Sequence, residues 1–143
     1  MATRQEAIDT LHSRNCSCII LKDDEMSVYN GPGISDLLGL LKTQPDKLRG
    51  AFVADKVIGK AAAALLILGQ TDAVYTDLIS EGAIDLLHCS PIQVTFAERV
   101  HMIMNRTKDN ICPMENLCSD AKDAEECYNR ISDFISNKRK ESL

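Results

Sequence analysis

Three short stretches of the chain gather side chains able to do chemistry. The first is Asp55-Lys56 followed by Gly59-Lys60, the second Ser80-Glu81, and the third Asn105-Arg106 with Cys112-Pro113-Met114-Glu115. A lysine that begins a helix opposes the macrodipole at a cost of about 0.3–1 kcal/mol. Lys60 in that position either snorkels to water or faces an anion or carbonyl in a cleft. Gly59 lets a ligand approach the backbone closely. Arg106 in a loop can grip a carboxylate or phosphate through two parallel bonds. Cys112, just before a proline, suits a helix start, where a thiol is acidified. Lys60 and Cys112 are thus the candidate nucleophiles, and Asp55 and Glu115 the candidate proton carriers. Lys56, Gly59, Ser80, Asn105 and Arg106 are the candidate ligand-binding residues. Each has a plainer reading: Lys60 as a solvated first-turn residue, Ser80 and Glu81 as caps, Cys112 as a half-buried small residue, Glu115 as a capping carboxylate.

The elements that must position these residues follow from periodicity. Residues 3–13 read as a helix with Ala7, Ile8 and Leu11 on one stripe. Residues 16–21 and 26–29 read as two strands of a hairpin, and Asn30-Gly31-Pro32-Gly33 as a turn before a helix over 34–41 that Ser35 can cap. A strand is expected at 50–54, broken by Asp55-Lys56. Residues 60–68 form a helix stopped by Gly69 and apolar on every face, hence packed on all sides. A strand at 73–76 leads through 78–80 into a helix at 81–88 with Ser80 as its cap. A further strand is expected at 92–96, a polar loop at 105–110, a helical turn at 111–115 and a last helix over 120–136. Residues 1–137 then make one domain and 138–143 a polar, frayed tail. Such a series predicts an α/β fold, a mixed sheet with helices on both faces. Its ligand site belongs at the carboxyl ends of the strands, beside helix N-termini.

Composition limits the function. The chain has 143 residues, with 16 Lys and Arg against 21 Asp and Glu, a net charge of −5. Neither nucleic acid nor an anionic membrane is an expected partner of such a surface, although a local basic pocket is compatible with it. The lack of tryptophan, with only three Tyr and three Phe, also speaks against stacking platforms for single strands. No export signal or membrane span is legible, so a reducing cytoplasm is the expected compartment. The six cysteines form no CxxC pair, and no HExxH, GxGxxG, Walker A or GxSxG motif is present. Neither a metal nor a cofactor is therefore expected. Five of the cysteines read as packing residues, and Cys112, alone or with Cys118, as a thiol for chemistry.

DKVIGKAAA at 55–63 and NR with CPME at 105–115, in this order of elements, resemble the domain-of-unknown-function 1893 family, small prokaryotic proteins with a cytidine-deaminase-like fold. The resemblance implies a three-layer α/β/α sandwich. It also implies that Gly59-Lys60 stands where deaminases carry His-x-Glu, and Ser80-Glu81 where they carry Pro-Cys-x-x-Cys. A protonated lysine and a serine are no zinc ligands, so zinc-dependent deamination is not expected despite the fold. What remains is a zinc-independent cleft for a small anionic or amide-bearing, nucleotide-like ligand. The alternatives are a non-catalytic sensing module able to self-associate, and a thiol-dependent enzyme.

Overall fold

The computed structural model describes residues 2–31, 34–105 and 107–141, the last four by their backbone alone. In chain order the elements are α1 (Arg4–Ser13), β1 (Cys18–Lys22), β2 (Glu25–Tyr29), α2 (Ser35–Thr43), a single 3-10 turn at Pro45–Lys47, β3 (Phe52–Ile58), α3 (Lys60–Leu68), β4 (Ala73–Ser80), α4 (Glu81–His88), β5 (Gln93–Val100), α5 (Pro113–Cys118) and α6 (Ala124–Glu141). The five strands form one mixed sheet in the order β2-β1-β3-β4-β5. β1 runs antiparallel to β2 and β3, whereas β3, β4 and β5 are parallel. The fold is thus α/β, with α3 and α4 as the two crossovers between parallel strands.

Strand alternation divides the core in two. On one face Ile19, Phe52, Ala54 and Ala73 pack against Ala7 and Leu11 of α1. On the other, Ile20, Val53 and Val74 meet the larger cluster built by α2, α3, α4, α5 and α6. Helix α3 lies at the centre of that cluster. Ala61 to Leu66 are all buried, as the all-round apolar reading requires. Ser80 caps α4 as expected, its Oγ accepting the Ala83 N–H at 3.2 Å.

Several boundaries differ from the sequence reading, each for a tertiary reason. β3 does not break at Asp55-Lys56. Asp55 is held in the ladder between Cys18 of β1 and Thr76 of β4, and the strand continues to Ile58. β4 is continuous from Ala73 to Ser80 and β5 reaches Val100, because the register of the parallel strands holds across both. Ser35 is the first residue of α2 rather than its cap; Ile34 precedes the helix. The turn expected at 30–33 lies partly outside the described residues, since Pro32 and Gly33 fall there. Gly69 ends α3 at φ −76°, so it is not the left-handed residue; Gln70, at φ 59°, is. Gly69 is needed for close packing instead, since a Cβ there would sit 2.8 Å from Leu48. The last helix starts at Ala124, not Asp120, because Asp123 caps it through the Glu126 N–H at 2.9 Å. It continues through Glu141, into the segment expected as a tail. Among the described residues no helix is long and apolar enough to cross a membrane.

Candidate functional site

The strand ends and helix starts meet at a cleft of about 320 Å³ beyond the carboxyl end of β3. Asp55, Lys56 and Val57 form its strand wall, Gly59, Ala61 and Ala62 its floor, and Ile103, Met104, Cys112, Met114 and Glu115 the opposite wall; Ser17 and Ile34 close the edge. Asp55, Lys56, Gly59, Cys112 and Glu115 are therefore brought together, from β3, the β3–α3 junction and the start of α5. Lys60, Ser80 and Asn105 do not line the cleft. Arg106 lies outside the described residues.

Glu115 is the best-anchored side chain of the site, and only 4% exposed. Its Oε1 accepts the Lys60 backbone N–H at 2.9 Å and the Ser80 hydroxyl at 3.2 Å. Its Oε2 accepts the Ile103 N–H at 2.7 Å. A helix start leaves backbone N–H groups unpaired, and a serine or aspartate just before it usually satisfies one of them. Gly59 occupies that position in α3 and has no side chain to offer. Glu115 supplies the missing acceptor from α5, and through Ser80 it ties the starts of α3 and α4 together. The glycine is what allows this: a Cβ at residue 59 would lie 3.3 Å from both carboxylate oxygens and from Ile103.

Lys60 turns away from the cleft. Its ammonium donates to the carbonyls of Ser119, at 3.2 Å, and Ala121, at 2.7 Å, just past the end of α5. Its aliphatic stem passes beside Gly82. The lysine that looked costly at a helix start is favourably placed with respect to another helix's carboxyl end. Lys56 donates from its ammonium to the Asn15 side-chain carbonyl. Asn105 serves its own loop, donating to Asp109 at 3.0 Å and accepting from Thr107 at 3.1 Å. That loop is closed by a bridge between Met104 and Ile111.

Asp55 is the chemically distinctive group. It is half-buried, and its Oδ1 accepts the Val57 N–H at 3.2 Å. Burial lifts its carboxyl to about 7, with Asp36 and Asp77 adding repulsion against the lowering effect of the Val57 and Lys56 backbone bonds. A carboxyl poised near neutrality can give or take a proton at physiological pH. Cys112 stands at the start of α5, partly exposed in the cleft and as a free thiol. Among the described residues no group of three His, Cys, Asp or Glu side chains is placed to hold a metal ion.

Sequence reasoning missed the apolar part of the lining, because Ile34, Val57, Ala61, Ala62, Ile103 and Met104 carry no chemical signature. It also missed a cluster on the opposite sheet face. There Asp77 Oδ1 meets His12 Nε2 at 2.7 Å and accepts the Tyr75 hydroxyl at 2.6 Å, which pushes the Tyr75 phenol up to about 12. The only advance signal was the spacing of Tyr75 and Asp77, two apart on one strand face.

The family model described as a domain of unknown function (DUF1893) matches residues 6–135. The crystal structure of a DUF1893 family protein (TM1506) from Thermotoga maritima superposes with a TM-score of 0.83, at 22% identity over 93% of this chain and 92% of that one. No curated protein matches the chain. With its sequence match running nearly end to end, this chain belongs to the DUF1893 family.

Proposed function

We propose that the chain binds a small molecule in the β3–α5 cleft and that Asp55 reads the ligand's polar edge. The observation that carries this reading is a single half-buried carboxyl poised near neutrality at the end of a largely apolar cavity. Ligand pockets have this composition: apolar walls for affinity and a few polar groups for orientation. Of the two ligand chemistries the sequence suggested, the geometry favours the amide-bearing, nucleobase-like one over the anionic one. Lys60 is committed to backbone carbonyls, Lys56 is bonded to Asn15, and an anion beside Asp55 would add like charge. An amide or nucleobase edge can instead donate its N–H to the Asp55 carboxylate, or accept through its carbonyl oxygen from the protonated acid.

Zinc chemistry does not fit this donor set. Where the family resemblance places the ligands of a deaminase metal, the chain has Gly59-Lys60 and Ser80-Glu81, joined by one carboxylate. That carboxylate is already occupied by two N–H groups and a hydroxyl. Glu115 instead joins the two helix starts through hydrogen bonds, and this reading assigns any proton or thiol chemistry in the cleft to Asp55 and Cys112 themselves. The test is a thermal-shift panel of nucleobases, nucleosides, small amides and small anions. At least one uncharged ring or amide compound should raise Tm in wild type and not in an Asp55→Leu variant. Equal shifts in both proteins would remove Asp55 from the site. Shifts by anions alone would favour the anionic reading.

A further inference from the structure

A second pair of groups stands behind the cleft, on the far side of α5. Cys118 is the last residue of α5 and Cys127 lies near the start of α6. Both are free thiols with no exposed surface. The Cys118 sulfur lies 4.0 Å from the Cys127 carbonyl oxygen, so the two buried thiols are neighbours, and each shifts the other's titration. The turn between them is gripped by two cations. Lys60 holds the Ser119 and Ala121 carbonyls. Arg130 donates to the Leu117 carbonyl at 3.0 Å and to the Asp120 carboxylate.

We propose that Cys118 and Cys127 are a redox pair that closes to a disulfide when the protein meets a peroxide. The inference is independent of the ligand reading, since neither cysteine lines the cleft. A cysteine whose sulfur already touches its partner's backbone can bond to that partner when side-chain rotation brings the two sulfurs together. The site also sorts the two thiols into roles. The Cys118 side chain, helped by Lys60 and Arg130, pulls the Cys127 thiol below the ordinary cysteine range, while Cys118 is pushed up. Cys127, as the thiolate, attacks one peroxide oxygen and the O–O bond breaks, giving a sulfenic acid and water. Cys118 then gives up its proton and attacks that sulfur. The S–S bond forms as the S–O bond breaks, and a second water leaves. Two thiols and one hydrogen peroxide become one disulfide and two waters. A small peroxide reaches the buried sulfurs when the short turn between α5 and α6 opens locally. The bond fastens α5, and with it the cleft wall carrying Cys112 and Glu115, to α6.

Peptide mapping tests this on the full chain. Trypsin cuts after Lys108, Lys122 and Arg130, which puts Cys112 and Cys118 on one peptide, 109–122, and Cys127 on another, 123–130. After treatment with hydrogen peroxide and alkylation under denaturing conditions, two of the six thiols should escape labelling. Peptides 109–122 and 123–130 should be joined, and a thiol reductant should separate them. The joined product should persist in Cys112→Ser and vanish in Cys127→Ala. Peptides that remain separate in wild type overturn the proposal. So does a link lost in Cys112→Ser, which would make Cys112 the partner.

Discussion

The two walls of the cleft each present a carboxyl group, and the two groups are opposites. On the helix wall, Glu115 is almost wholly buried and accepts from two backbone N–H groups and a hydroxyl. Its charge is fully answered by fixed donors, so it behaves as a structural member that joins α5 to the starts of α3 and α4. On the strand wall, half-buried Asp55 is bonded by neighbouring backbone N–H groups, without a cationic partner among the causes of its raised pKa. Burial therefore acts against its charge rather than being compensated. What separates a structural acid from a chemical one here is the number of donors aimed at it, not its depth.

Removing the structural acid should produce the largest effect. Glu115→Ala leaves three donors without partners in a buried place and should cost about 3–5 kcal/mol in denaturant unfolding. Glu115→Gln keeps one carbonyl acceptor and should cost about 1–3 kcal/mol. Losses below those of an ordinary surface substitution would erase the distinction between the walls.

Asp55→Asn should do the reverse. The Asp55 carboxyl is lifted from 3.8 to about 7 in the folded protein. Between those values the folded state holds a proton that the unfolded chain has released. The stability this group contributes is thus complete below the lower value and is lost as pH rises through the upper one. An asparagine mimics the neutral acid at every pH. The variant should match wild type near pH 4 and exceed it by about 4 kcal/mol at pH 8, with the gap opening across the interval between. A constant difference at all pH values would mean that Asp55 is as well answered as Glu115.

Gly59→Ala sharpens the comparison at smaller scale. Its φ of −95° suits any residue, so the cost arises only from crowding the Glu115 oxygens and Ile103. About 1 kcal/mol is expected, and it should shrink when Glu115 is already alanine. Additive losses in the double variant would separate the glycine from the clasp.

Much of this frame was legible in the sequence, because local pattern and final environment agree there. The apolar run 60–68 specified a central helix, Ser80 specified the cap of α4, and the hairpin followed by strand–helix units specified a mixed sheet with helices on both faces. The polarity of Asp55-Lys56 misled, since a lone polar pair looks like a strand end when the neighbouring strands that hold it are not in view. Glu115 was visible as a possible cap, but for its own helix. Its true partners lie 55 and 35 positions upstream, beyond the reach of any local pattern. For Lys60 the sequence leaves water and a carbonyl or anion in a cleft both open; the fold gives its ammonium the carbonyls at the end of α5, outside the cleft where a nucleophile was expected.

The most direct test of the cleft as a binding site uses two cysteines of the chain itself. Cys112 lines the cleft, whereas Cys89 is exposed beyond the end of α4 and outside it. A compound that raises Tm in the ligand panel should slow alkylation of Cys112 about tenfold or more at saturation and leave Cys89 unchanged. A bound compound that leaves the Cys112 rate untouched, or slows both thiols alike, would contradict the account.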